Sequence, residues 1–234
     1  MKSKNIAVIC ARAGSVRVPK KNIRDFDGQN IVQKAVETSL KSQIFSQIIV
    51  STDSDQLLEI LDRSHSRYPN VYLHKRPTEL GAGDVFVRDV VLECLNDKTI
   101  QENVRIWVLF PTCPLRKPET LVSAAQTVAV LHQDEQLVSV SRLPIPWQLT
   151  LNLENKYLRP NHENIYKQST RHNDYPQSYF ANFVFVVTNK DILLNNTTLI
   201  GEKAIPFETD AIESIDIDDE NDWALAQLLA GVKS

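Results

Sequence analysis

The strongest constraint in this chain is an alternation over its first half. Short apolar runs that close on polar loops take turns with segments whose apolar residues recur at helical spacing. "KNIAVICA", "SQIIVSTDS", "NVYLHKR", "VRIWVLF" and "QLVSVSRL" read as strands. Between them, the segment "QNIVQKAVETSLKSQ" places Ile31, Val32, Ala35, Val36 and Leu40 on one helical face. "DQLLEILDRSH", "DVFVRDVVLECLN" with Asp84 at its start, and "KPETLVSAAQTVAVLHQ" with Pro118 in its first turn read as further helices. Strands that alternate with helices form a parallel sheet covered on both faces, because each parallel pairing needs a crossover. The expectation is an α/β fold of Rossmann-like type with a mostly parallel central sheet. Ligands of such sheets sit at the carboxyl ends of the strands.

From about residue 143 the pattern changes. "PIPWQLTLNLENKYLRP" reads as a hairpin turning at Glu154-Asn155, and the stretch to Asp174 as polar and irregular. "SYFANFVFVV" returns to strand, "EKAIPFE" and "ESIDID" read as short strands, and "DENDWALAQLLA" as the closing helix. The 234 residues suit one domain, 1–234, with 143–180 as an excursion from the main sheet.

Charge narrows the partners. The net charge is −3, so no general attraction to nucleic acid or anionic lipid is expected, and any anion site must be local. No apolar stretch has the length of a membrane span and the start does not read as a signal peptide, so the cytoplasm is the expected compartment. Cys10, Cys94 and Cys113 lack the spacing of a zinc site or a disulfide framework.

A local anion site is suggested by "ARAGSVRVPKKN" after the first strand, where Arg12, Arg17, Lys20 and Lys21 crowd one loop and Arg24 follows. Arginines fork onto phosphate oxygens, and backbone N–H groups at a strand-to-helix turn add donors. Ala11, Ala13, Gly14 and Ser15 are small enough to let a phosphate approach, and Pro19 stiffens the loop. The rival reading is a solvated basic loop. GxxxxGK[ST] is absent, and "GAGDVF" at Gly81 has Phe86 where GxGxxG needs its last glycine, so it reads as a loop and helix cap. Near the other end, "ESIDIDDENDW" puts Asp216 and Asp218 on one side of an extended chain. Two neighbouring carboxylates repel unless a cation lies between them, and one or two carboxylates plus phosphate oxygens suit Mg²⁺. Asp219 and Glu220 read instead as the acidic start of a helix. Asp53, in "STDSD", either faces the ligand or caps the next helix.

"IAVICARAGSVRVPKKNI", "IIVSTDSDQL", "KRPTEL", "FPTCPLR" and "SIDIDDENDW" together resemble, in this order, the CMP-sialic acid synthetases. These are the acylneuraminate cytidylyltransferases, with relatives acting on pseudaminic and legionaminic acids. The resemblance implies a nucleotide-diphospho-sugar transferase fold and a reaction in which CTP and an acidic nine-carbon 2-keto sugar give CMP-sugar and pyrophosphate. It also implies a homodimer in which the excursion contacts the partner and helps close its sugar site. By position, Arg12, Lys21 and Asp218 would be catalytic. Ala11, Arg12, Gly14, Ser15, Arg17, Lys21, Asn22, Pro111 and Thr112 would hold CTP. Arg116, Arg171, His172 and Asn182 would meet the sugar. Asp216 and Asp218 would hold Mg²⁺, and Asp218 or a metal-bound base would take the hydroxyl proton.

Departures from the family pattern cluster on the sugar side. Phe110 stands where the family often has glutamine, and Cys113 where it has serine. Val16 replaces a common lysine, and "GAGD" intervenes after "RPTEL". Counted back from Pro176, the family's Arg-Gln-x-Leu-Pro falls on His172 to Tyr175, with Arg171 one place early. Its Arg-x-Asn-Gly becomes Phe180-Ala181-Asn182-Phe183. An altered acceptor half is expected beside a working nucleotide half. The alternatives are a non-catalytic nucleotide- or sugar-binding relative and a nucleotidyltransferase using another donor or acceptor sugar. Trp107 and Trp223 read as core, Trp147 as sugar-facing or interfacial, and His65, His74, His132 and His162 as surface or structural.

Overall fold

A computed structural model describes residues 4–15, 17–66, 68–81, 85–96, 104–168 and 171–231; the side chains of Thr78 and His172 are outside that description, as are Val16 and Asp84. In chain order the elements are β1 (Asn5–Cys10), a small ribbon of β2 (Asp25–Phe26) and β3 (Gln29–Asn30), α1 (Ile31–Ser42), β4 (Phe45–Thr52), α2 (Asp55–His65), β5 (Val71–Lys75), α3 (Val87–Cys94), β6 (Arg105–Leu109), α4 (Pro118–Val128) and β7 (Gln136–Arg142). The second part holds the hairpin β8 (Leu151–Glu154) and β9 (Tyr157–Pro160), α5 (Glu163–Gln168), β10 (Tyr179–Thr188), α6 (Lys190–Asn195), β11 (Ala204–Glu208) and α7 (Glu220–Gly231).

Seven strands form one sheet in the order β11-β7-β10-β6-β1-β4-β5. β1 pairs in parallel with β4 and β6, β4 with β5, and β7 with β11; β10 runs antiparallel to both its neighbours. Alternate residues of each strand feed the two faces, as a period of two requires. Ala7, Ile9, Ile48, Val50, Trp107 and Phe185 pack under α1, α2, α4 and α7, while Ile6, Val8, Ile49, Ile106, Val108 and Val186 pack under α3 and α6. Trp107 and Trp223 are buried, as expected.

Local chemistry fixes the ends of several helices. Asn30 caps α1 by accepting from the Val32 and Gln33 amides at 3.1 and 2.8 Å, and the Gln33 side chain accepts from the Asn30 amide in return. α4 stops at Val128, short of the expected "VLHQ", because buried Arg105 of β6 draws the carbonyls of Leu131, His132 and Glu135 to its guanidinium at 2.8–3.1 Å. α3 starts at Val87 rather than at Asp84. The hairpin turns one residue later than expected, with Asn155 in the left-handed region at φ 58°. The stretch expected to be irregular contains α5, and α6 went unread in the sequence, although Asn189 caps it at 2.9 Å. "ESIDID" is not a strand: Ile217 donates to Thr112 O at 2.9 Å, but the Asp218 and Asp219 amides turn to Asp222 instead.

Candidate active site

A cavity of about 320 Å³ opens at the carboxyl ends of β1 and β6, within the size range of small-molecule sites. The cationic loop after β1 forms one wall. Asp53 anchors that loop, accepting from the Ala13 amide at 2.7 Å; Ser54, not Asp53, caps α2. Lys20 turns the chain at φ 56°, and its carbonyl takes the amides of Ile23 and Arg24 at 2.9 Å. Asn22 closes the loop by donating to Arg12 O at 2.8 Å.

The carboxylate segment, some two hundred positions further along the chain, packs against this loop. Lys21 Nζ donates to Ile217 O at 2.7 Å and Arg17 pairs with Asp218 at 2.7 Å. Arg24 reaches both oxygens of Glu220 at 2.8 Å and lies over the Trp223 ring at 4.4 Å. Asp219 opens α7 by accepting from the Asn221 and Asp222 amides, and Asp222 returns the favour to Asp218 and Asp219. The Arg17–Asp218 pair is largely exposed, so it holds by no more than about 1 kcal/mol and can be exchanged for a phosphate contact.

Burial lowers the Lys21 pKa, and Asp216 and Asp218 oppose that shift. Asp216 moves the other way. Burial raises its pKa, a Thr112 hydrogen bond pulls it back, and the Asp218 charge raises it again. Its Oδ1 is buried without a hydrogen-bond partner. An unpartnered carboxylate oxygen beside a second carboxylate is a donor set that fits a hard divalent cation sharing its remaining positions with phosphate. Among the described residues no group of three or more acidic, histidine or cysteine side chains could hold a metal alone.

Arg12, Ser15, Arg17, Lys21, Asn22, Pro111, Thr112 and Asp218 all line the cavity. Ala11, Gly14, Arg116, Arg171, Asn182 and Asp216 do not line the cavity. Ala11 is buried and its amide is spent on Ser51 O at 2.9 Å, so it offers no donor to a nucleotide. Arg116 is 4% exposed and donates to the carbonyls of Val184 and Phe110. Burial pushes its pKa down to about 10. Asn182 is 3% exposed and gives its Nδ2 hydrogens to Ser141 Oγ and Thr209 Oγ1 at 2.8 and 2.6 Å. These two side chains brace the protein through internal hydrogen bonds. Arg171 sits in the excursion and does not line the cavity. Gly14 lies exposed on the loop and has no steric need for glycine, since a Cβ there would meet nothing. Trp147 is half-exposed in the excursion, edge-on to His162 at 4.4 Å.

Other lining residues went unassigned in the sequence. Arg76, in "KRPTEL", comes from the end of β5, and its guanidinium donates to Ser51 Oγ and Ser51 O at 3.3 and 3.0 Å. Cys10, Leu80, Val87 and Val90 supply apolar surface, and Phe110 completes it against Phe183. Burial pushes the thiols of Cys10 and Cys113 up to about 12, which makes both inert as nucleophiles.

A family model described as cytidylyltransferase matches residues 6–106. A CMP-N,N'-diacetyllegionaminic acid synthase of Legionella pneumophila is 30% identical over 96% of this chain and 95% of its own length. An N-acylneuraminate cytidylyltransferase of Escherichia coli is 27% identical over 97% of this chain and 52% of its own length. A pseudaminic acid cytidylyltransferase of Campylobacter jejuni is 25% identical over 97% of this chain and 96% of its own. Among solved structures, a CMP:2-keto-3-deoxy-manno-octonic acid synthetase complexed with CTP superposes with a TM-score of 0.65 at 14% identity over 97% of this chain and 98% of that one. A 4-diphosphocytidyl-2C-methyl-D-erythritol synthase of Anaerococcus prevotii gives a TM-score of 0.66 at 11% identity over 98% and 96% of the two chains. The fold is thus the α/β one with a mostly parallel sheet that these proteins share.

Proposed function

This chain belongs to the cytidylyltransferase family, and we propose on that premise that it transfers the cytidylyl group of CTP to the anomeric hydroxyl of an acidic nine-carbon 2-keto sugar. The hydroxyl oxygen forms a bond to the α-phosphorus, the bond from that phosphorus to the pyrophosphate oxygen breaks, and the hydroxyl proton leaves. The observation that carries this reading is the meeting of two distant segments at the cavity, seen in the Lys21–Ile217 and Arg17–Asp218 contacts. A polyanion binding there finds Arg12, Arg17 and Lys21 on one wall and Asp218 on the other, with Asp216 two residues earlier on the same segment.

Each residue then has a task. Arg12, Arg17 and Lys21 offset charge on the triphosphate, most of all as it builds on departing pyrophosphate. Asn22, through its bond to the Arg12 carbonyl, fixes the shape of the loop beside the nucleotide. Asp216 and Asp218 would hold Mg²⁺, which when bound supplies charge neutralisation on the phosphates. Asp218 also lines the cavity, and in this reading it or a metal-bound base takes the hydroxyl proton. The chain does this mainly by positioning and fixed charge.

The excursion supports a homodimer. Leu153 and Leu158 are 71% and 64% exposed on its hairpin, with Tyr157, Tyr179 and Phe180 also open. Leu153 and Leu158 pair across the hairpin, and exposed apolar surface of this kind supports an interface. No helix among the described residues is long and apolar enough to cross a membrane. The compartment proposed is the cytoplasm, where CTP is made and thiols such as these stay reduced.

A pyrophosphate-release panel tests the reaction: CTP, UTP, GTP and dTTP against several nonulosonic acids at fixed Mg²⁺. Release with CTP and at least one such acid is the expected result. Tight CTP binding without release from any pair would refute the reading.

A further inference from the structure

β1 and β4 pair in parallel as far as Cys10 and Ser51, and the Ala11 amide adds the next rung by donating to Ser51 O at 2.9 Å. In a parallel ladder the rung after that joins residues two further along each strand, here Ala13 N and Asp53 O. That carbonyl instead takes Lys75 Nζ at 3.1 Å. The Asp53 side chain makes the rung in its place, and its Oδ1 accepts from the Ala13 amide at 2.7 Å. A carboxylate thus carries the ladder past the end of the strand and into the cationic loop. The other end of the same peptide unit is also held, since Arg12 O accepts from Asn22 Nδ2 at 2.8 Å. The plane of the Arg12–Ala13 peptide is therefore fixed at both its carbonyl and its amide.

Asp53 stands on a rigid part of the fold. The Thr52 carbonyl takes the Arg76 amide at 2.8 Å, Thr52 Oγ1 takes the Ser54 amide at 3.1 Å, and Ser54 caps α2. Asp53 does not line the cavity, whereas Arg12 does. Of the loop cations that line it, Arg17 is paired with Asp218 and Lys21 with Ile217 O. Among the described residues the exposed Arg12 side chain has no such partner, so its direction is inherited from its own backbone. A carboxylate beside a loop that gathers phosphate repels the ligand it serves. A charge-assisted bond, roughly twice as strong as a neutral one, offsets that cost only if the rung itself matters. We propose that Asp53 is a positioning residue for Arg12. With Asn22 it locks the Arg12–Ala13 peptide, so that the Arg12 guanidinium is aimed at the triphosphate before the nucleotide arrives and little ordering is left for binding and transfer to supply.

The inference rests on the cytidylyl-transfer reading for the anion that Arg12 meets, and a double-mutant cycle separates the two. Asp53→Ala, Arg12→Ala and the double variant are compared with the native chain at fixed Mg²⁺. Pyrophosphate release is measured with CTP and a nonulosonic acid, and CTP binding by calorimetry without the acid. Asp53→Ala is expected to lower kcat/KM for CTP by about 10- to 100-fold, the loss typical of a misplaced group. In the Arg12→Ala background the same change should cost no more than about twofold, because no guanidinium is left to aim. Asp53→Asn keeps an oxygen for the Ala13 amide and should stay within about threefold of native, a change that a proton-accepting or metal-holding carboxylate would not tolerate. An equal loss from Asp53→Ala in both backgrounds, or Asp53→Asn as impaired as Asp53→Ala, would overturn the clamp and leave the transfer reaction in place. If the native chain binds CTP but releases nothing, the transfer reading falls, and the same cycle read in CTP affinity decides the clamp by the same criterion. No binding of CTP would overturn both.

Discussion

Asp216→Asn should make the ligand-free protein more stable and at the same time inactive. Ionised Asp216 keeps a buried oxygen without a partner and stands beside Asp218. An unsatisfied buried polar atom costs about 1–3 kcal/mol, more when charged. Asp216 is only half-buried, and its amide replacement would itself leave one group poorly paired, so the net gain should sit near the low end, about 1 kcal/mol. In a chain of this length that raises the thermal midpoint by about 2–4 °C. The pH dependence follows from the sign of the shift. Burial raises the folded-state pKa of Asp216 above its ordinary value. The folded state therefore holds its proton longer than the unfolded one. The stability this contributes is present at low pH and lost as pH rises through the raised pKa. The advantage of the asparagine should thus be largest near neutral pH and fade as pH falls toward about 4. Scanning calorimetry of both proteins without divalent cation, from acid to neutral pH, measures it. Adding CTP and Mg²⁺ should reverse the order, because only the native carboxylate gains by binding. A variant no more stable at neutral pH, or one that turns over at near-native rate, would refute the argument that this carboxylate is held unsatisfied for a cation.

Arg12→Ala should lower kcat/KM for CTP by about 100- to 1,000-fold, the loss typical of a missing oxyanion donor; steady-state release assays at several CTP concentrations would show it. Asp218→Asn should abolish turnover while leaving the circular dichroism spectrum and the thermal midpoint close to native, since its pair with Arg17 is exposed. Arg116→Met should cost about 3 kcal/mol in denaturant titrations, because the carbonyls of Phe110 and Val184 lose their buried donor. Leu153→Glu with Leu158→Glu should shift the protein to monomer in light scattering after gel filtration, if the hairpin is the dimer contact proposed.

Strand and helix alternation, the cationic loop and the carboxylate pair were legible in the sequence because they are local. A period of two or 3.6 declares a buried face, and four cations between Arg12 and Lys21 declare a charge density, whatever the rest of the chain does. The tertiary structure alone decided what each polar side chain spends its hydrogen bonds on. Arg116 and Asn182 look in the sequence like ligand contacts, since buried and ligand-facing polar residues have the same letters. Only their partners, the carbonyls of Phe110 and Val184 and the hydroxyls of Ser141 and Thr209, show that they brace the backbone. Phe110 and Phe183 are far apart in sequence and signal nothing as a pair until β6 and β10 lie side by side. Asp222, which orients Asp218 through its backbone amide, has no motif of its own. Contacts between distant segments arise from closure of the sheet and the docking of α7 beside the first loop, and one-dimensional periodicity carries no record of either.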